Sequence, residues 1–113
     1  MNYNNNIKFS PVSNSENGEV SSDMIFHYKQ IDKILTCDYQ GTKILKGHLI
    51  GLVDDVGNIK MRYHQINQNG ELIMTGECSS KPELMENGKI RLYEDWQWTS
   101  GDKSKGKSIL EEI

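Results

Sequence analysis

Residues 43–78 read KILKGHLIGLVDDVGNIKMRYHQINQNGELIMTGEC, and their pattern decides the fold. Three runs of strand length alternate apolar and polar residues: KILKGHLIGLV, IKMRYHQIN and LIMTGEC. Between them stand DDVGN and QNGE, Gly-bearing connections of hairpin type. With Asp55–Val56–Gly57 as the loop of the first hairpin, Asp54 faces Asn58 and His48 faces His64 on the neighbouring strand. The first run is partly apolar on both faces and so belongs in the middle of a sheet. Its alternation sets Leu45, Gly47, Leu49, Gly51 and Val53 against Ile44, Lys46, His48, Ile50 and Leu52. Gly47 and Gly51 have no side chain to pack, which marks a bend or the close approach of another group.

Working outward, the same period of two recurs on both sides. Lys8–Val12 (KFSPV) reads as a short strand, with Pro11 at an edge or bulge. Asn14–Gly18 is a turn, and Val20–Lys29 then carries Met24, Phe26 and Tyr28 on one face. A turn near Ile31–Asp32 leads into Ile34–Gln40, with Leu35, Cys37 and Tyr39 aligned. Beyond the central hairpins, Ser79–Asn87 contains Pro82 and is expected to be irregular in its middle. Asn87–Gly88 turns into Ile90–Thr99, whose one face holds Ile90, Leu92, Glu94, Trp96 and Trp98. Ser100–Lys107 reads as a loop and Ser108–Ile113 as a last short strand or a frayed end.

About eight strands with short connections make a meander, in which each strand pairs with the one before it. An open meander exposes two edges, and closure removes them. The fold expected is therefore all-β, an antiparallel up-and-down barrel spanning 1–113 as a single domain. Met1–Asn6 is expected to fray, and Ser108–Ile113 to pair with Lys8–Val12.

A chain of 113 residues with 35% hydrophobic and 26% charged residues suits one globular domain with a modest core. Its net charge of −3 provides no basic field for nucleic acid or an anionic membrane, so neither is expected as a partner. No apolar run approaches the ~20 residues that span a bilayer. Met1–Phe9 (MNYNNNIKF) lacks a signal peptide's apolar centre, and a cytoplasmic protein is expected. Cys37 and Cys78 form no CxxC and read as free thiols packed as small hydrophobes.

The inward face combines aromatic walls with a few polar tips. Tyr28, Tyr39, Trp96 and Trp98 are the candidate walls of a ligand site, and Tyr63, Gln65 and Glu94 the groups that orient a ligand's polar atoms. A buried polar group left without a partner costs ~1–3 kcal/mol. Glu94 therefore either joins an internal network in a filled barrel or meets a ligand among the aromatics. On the opposite face His48, Arg62 and His64 form an alternative cluster, with Lys46 nearby. Two imidazoles on adjacent strands can share a metal or a proton, but a third ligand is lacking and no metal is expected. With the two faces exchanged, these three residues become the polar groups of the lumen.

Gly101–Ser108 (GDKSKGKS) matches the letters of a phosphate-binding loop. That loop works only at the start of a helix, and five residues after Ser108 are too few for one. A solvated loop, at most a weak anion site from Lys103, Lys105 and Lys107, is the expectation. The cysteines have no basic neighbour on their own strands and no G-x-S-x-G elbow exists, so no catalytic residue and no cofactor are assigned.

Three runs, GEVSSDMIFHY from Gly18, KGHLIGLVDDVGNIKMRYHQIN from Lys46 and KIRLYEDWQWTSGDKSKG from Lys89, carry a family likeness. The chain resembles, over nearly its whole length, a small bacterial family whose members are commonly labelled N-acetylglutamate synthase. The resemblance implies an avidin- or calycin-type barrel, with a ligand in the barrel mouth, and by its label an acetyltransferase. The [QR]-x-x-G-x-[GA] string that holds the pyrophosphate of acetyl-CoA does not occur, and no residue-by-residue match to a biotin site is present. The function expected is non-catalytic binding of a small molecule. Acetyl transfer and a structural or partner-binding domain with a filled barrel are the alternatives.

Overall fold

The alternation resolves into nine antiparallel strands in a computed structural model, which describes Tyr3 and residues 7–14, 24–71, 74–100 and 103–113. They are β1 (Lys8–Asn14), β2 (Phe26–His27), β3 (Lys29–Ile31), β4 (Ile34–Tyr39), β5 (Ile44–Val53), β6 (Ile59–Asn67), β7 (Met74–Leu84), β8 (Ile90–Trp98) and β9 (Lys105–Glu112). From β4 to β9 every strand pairs with its predecessor, and β9 returns to β1 with Phe9 opposite Glu112 and Pro11 opposite Leu110. That is the closing pair the meander required.

The ends of the sheet order, β2 and β3, are separated in the chain by Tyr28 alone. The segment pairs first with β1, Lys8 opposite His27, and then with β4, Lys29 opposite Thr36. One split strand thus brings the sheet round into a nearly closed barrel, which is why an expected eight strands become nine. The expected strand from Val20 begins outside the described residues, as does most of the Asn14–Gly18 turn. From Met24 onward, Met24, Phe26 and Tyr28 are buried as their spacing requires.

The first hairpin has the expected register. Asp54 N–H donates to Asn58 O (2.9 Å). The Asp54 carboxylate accepts from the N–H groups of Val56 and Asn58. Gly57 takes φ 89°, the left-handed conformation that the loop demands and that side chains resist. His48 faces His64 across β5 and β6.

Two bulges and one proline refine the pattern. In β1 the register shifts between Pro11 and Ser13, so the missing N–H of Pro11 sits beside an irregularity. In β5 it shifts between Ile44 and Lys46, which corrects the expected faces: Ile44 is buried and Leu45 is turned out to solvent. The expected irregularity in Ser79–Asn87 is also corrected, because β7 runs through Pro82 as far as Leu84. Two features permit this. The β6 ladder ends at Ser80, so Pro82 has a neighbour on one side only. Met85 N–H bonds Lys89 O, and alternation from that pair makes Pro82 opposite Leu92 a non-hydrogen-bonded position.

Each described residue assigned inward does point inward, from Leu35, Cys37 and Tyr39 on β4 to Leu92, Trp96 and Trp98 on β8. Of Met1–Asn6 only Tyr3 is described, and it is wholly buried. Its hydroxyl donates to Gly57 O (2.6 Å) and its N–H to Gln30 Oε1 (2.9 Å), while its ring packs on Phe9 and Tyr28. Tyr3 thereby covers the barrel end that carries the β3–β4 and β5–β6 turns. Among the described residues no helix is long and apolar enough to cross a membrane.

Candidate functional site

Three rings of the lumen lie over glycines directly opposite them on the next strand. Tyr39 covers Gly47, Tyr63 covers Gly76, and Trp96 covers Gly106. A methyl group at any of these glycines would fall inside the covering ring, so the absent side chain is what lets each aromatic lie along the wall. Gly76 also faces Trp98 on β8, and Tyr63 and Trp98 meet edge-to-face above it (5.7 Å, 72°). Trp96 and Trp98 are 5.8 Å apart between ring centres.

The rings do not fill the barrel. They enclose, with Tyr28 and Leu49, a cavity of about 50 Å³. A single water needs at least ~10–15 Å³ of such space, so a few non-hydrogen atoms fit. Drug-sized ligands occupy ~300 Å³ or more. The site suits a very small molecule, or the reactive end of a larger one.

Its polar groups converge from opposite walls. Tyr39 donates to Gln65 Oε1 (2.9 Å), and Gln65 is buried at 2% exposure. Across the lumen Ser80, Glu94 and Ser108 form one row on β7, β8 and β9. Ser108 Oγ donates to Glu94 Oε1 (3.2 Å). Glu94 Oε2 and Ser80 Oγ are shut off from solvent and make no well-formed hydrogen bond among the described residues, although the Ser80 hydroxyl stands near enough to Glu94 to ease its charge. Glu94 and Tyr63 as whole residues keep some accessible surface, as groups bordering unfilled space do.

Burial pushes the Glu94 carboxyl up to about 7, with the hydroxyls of Ser108 and Ser80 only partly offsetting the loss of hydration. The Tyr28 phenol is held well above its ordinary value by burial and then by the neighbouring Glu94. Burial likewise raises Tyr63 and Cys78, and pushes the Cys37 thiol up to about 12. These phenols and thiols are neutral near pH 7. Glu94 is the one carboxyl lining the cavity among the described residues, and no Lys, Arg or His stands with it.

The structure therefore brings Tyr28, Tyr39, Tyr63, Gln65, Glu94, Trp96 and Trp98 around one cavity. His48, Arg62 and His64 stand together on the outer face. Arg62 and His64 are exposed and His48 half-exposed, so the exchanged arrangement of faces does not occur. The two imidazoles lie 5.8 Å apart, yet His48 Nδ1 donates to Asp38 Oδ1 (2.8 Å) and Arg62 faces Glu77 on β7. That hydrogen bond from His48 holds the Asp38 carboxyl below its usual range. Among the described residues no group of three or more His, Cys, Asp or Glu is placed to hold a metal. Gly101 and Asp102 lie outside the described residues, but Lys105–Ser108 of the phosphate-loop lettering is strand, with Ser108 directed at Glu94.

Sequence reasoning missed Ser80, Ser108 and Tyr3. Ser80 continues the inward parity of Gly76 and Cys78, a signal set aside because of Pro82. Ser108 shares parity with Leu110 on a strand that begins earlier than expected. Tyr3, a lone aromatic in a polar run, carries no such signal.

A family model described as "Avidin-like protein" matches residues 1–113. No curated protein matches the chain.

Proposed function

The chain belongs to the avidin-like family, and from that premise we propose that it binds a small molecule in the barrel lumen without transforming it. One observation carries this reading: the Glu94 carboxyl, whose Oε2 is buried without a well-formed hydrogen bond among the described residues, lines a cavity walled by aromatic rings. A barrel packed for stability alone gains nothing from such a group, because a poorly satisfied buried polar atom costs ~1–3 kcal/mol. A ligand that bonds to it removes that cost. Tyr28, Tyr39, Trp96 and Trp98 form its walls, and Tyr63, Gln65 and Glu94 orient its polar atoms. The chain acts in the cytoplasm, where Cys37 and Cys78 stay buried thiols.

Neither described thiol is a ready nucleophile, since burial raises both far from their reactive form. Acetyl transfer to glutamate would need a pyrophosphate-binding turn and room for the acetyl-CoA arm, and a cavity of about 50 Å³ gives no such room. Native mass spectrometry of the protein purified from its own cells tests the proposal. A reproducible mass excess that vanishes on denaturation, and is lost in Trp96→Ala, is expected. Release of free CoA from acetyl-CoA in the presence of glutamate would overturn it in favour of the enzyme. A clean mass together with an unresponsive lumen would favour a filled structural barrel.

A further inference from the structure

Building on the lumen reading, we infer that the ligand is a small organic cation, a protonated or alkylated amine, with Glu94 as its counter-ion inside an aromatic cage. The cavity holds one carboxyl and no basic side chain among its described lining residues. An ionised carboxylate buried without a partner is strongly unfavourable, and a positive group placed against it restores the balance. Glu94 Oε2 is the carboxyl oxygen left without a well-formed hydrogen bond among the described residues.

The walls point to the same chemistry. Trp96 stands two residues beyond Glu94 on the same face of β8, and Trp98 two further, edge-on to Tyr63. Tyr28 completes the enclosure. Faces of Trp and Tyr attract a cation through their quadrupoles, most strongly where water is excluded. An anionic ligand would meet Glu94 and these ring faces with repulsion. A neutral ligand would leave the carboxylate uncompensated.

Acidity gates such a site. The titratable groups set against Glu94 are Tyr3 from the N-terminal segment, Tyr28 between β2 and β3, Tyr63 on β6 and Cys78 on β7. Tyr39 of β4 stands across the cavity and Cys37 behind Tyr28. Burial keeps Tyr3, Tyr28, Cys37, Tyr63 and Cys78 uncharged near neutral pH. β9 contributes Ser108, and His48 and His64 stand on the outer face. Glu94 is thus the group whose charge changes in the lumen across neutrality.

The chain's two tryptophans both line the cavity, so their fluorescence reports occupancy. The experiment titrates the full chain with ethylammonium, ethanol and acetate at constant ionic strength, at about pH 8.5 and about pH 5.5, on either side of the Glu94 transition. Ethylammonium is expected to saturate at the higher pH at least tenfold more tightly than ethanol, with no response to acetate. At least a tenfold loss is expected at the lower pH. Glu94→Gln should show the same loss of ethylammonium binding at the higher pH and no further loss at the lower pH. Should that variant not fold, the pH comparison on the wild type decides alone. Ethanol or acetate binding as tightly as ethylammonium overturns the cation and leaves the lumen site standing. Silence from all three probes overturns the lumen site with it.

Discussion

Replacing Glu94 by Gln should make the protein more stable in alkaline solution and ~1–2 kcal/mol less stable in acid. There the protonated carboxyl costs the wild type nothing, while the amide is incompletely bonded. In the fold, burial moves the carboxyl from an ordinary 4.5 to about 7. At ~1.4 kcal/mol for each pH unit, that costs the wild type roughly 3 kcal/mol once the group is ionised. The direction follows from proton binding. A carboxyl whose folded value is raised favours the fold while protonated, so the stability is fully present below 4.5, falls as the pH rises, and is gone above about 7. Gln keeps the shape and carries no charge, but its amide is still incompletely bonded, at ~1–2 kcal/mol. The net gain at pH 8.5 is then ~1–2 kcal/mol, roughly 4–8 °C in melting temperature for a domain of this size. Thermal melts by circular dichroism between pH 4 and 9 provide the assay. Asp38, held low by His48, acts in more acidic solution and cancels between the two proteins. Melting curves of wild type and variant that run parallel across this range would refute the reasoning.

Other substitutions probe separate links. Gly106→Ala puts a methyl inside the Trp96 ring. It should cost ~1–3 kcal/mol in denaturant melts and shift the tryptophan emission as the ring is displaced. Tyr3→Ala removes the covering of one barrel end and should cost ~3–5 kcal/mol, whereas Tyr3→Phe loses only the bond to Gly57 O, ~1 kcal/mol. Pro82→Ala, at a position where no ladder bond is missed, should change stability by less than ~1 kcal/mol in the same melts. Cys37 and Cys78 are buried thiols and should stay unreactive to a disulfide reagent until the chain unfolds, with both then titrating.

Most of the barrel was legible because period two is a strong signal wherever one face is buried. The DDVGN turn set His48 opposite His64, and the whole inward face of β4 and β8 followed from alternation alone. What escaped was local. Leu45 and Ile44 exchange faces through a bulge that leaves no mark in the letters. Pro82 suggested a break, because whether a proline sits beside a full ladder or past the end of one depends on the neighbouring strand's length. The candidate site was half legible: its aromatic walls and Glu94 lie on strands with clear parity. Ser80 and Ser108, which flank Glu94, depend on how three strands are staggered, and that stagger is a property of the closed sheet. Tyr3 is held by contacts with residues 27 and 54 positions away in the chain, Gln30 and Gly57, which no local pattern encodes.

The account rests on Glu94 being a buried carboxyl without a counter-charge in the lumen, waiting for a positive group to meet it. The carboxyl-carbon shift of Glu94, followed by NMR through a pH titration of the protein alone and with saturating ethylammonium, tests this most directly. The prediction is a midpoint near 7 for the free protein, falling by more than one pH unit when the cation is present. A midpoint near the ordinary 4.5, the same with and without the cation, would contradict it.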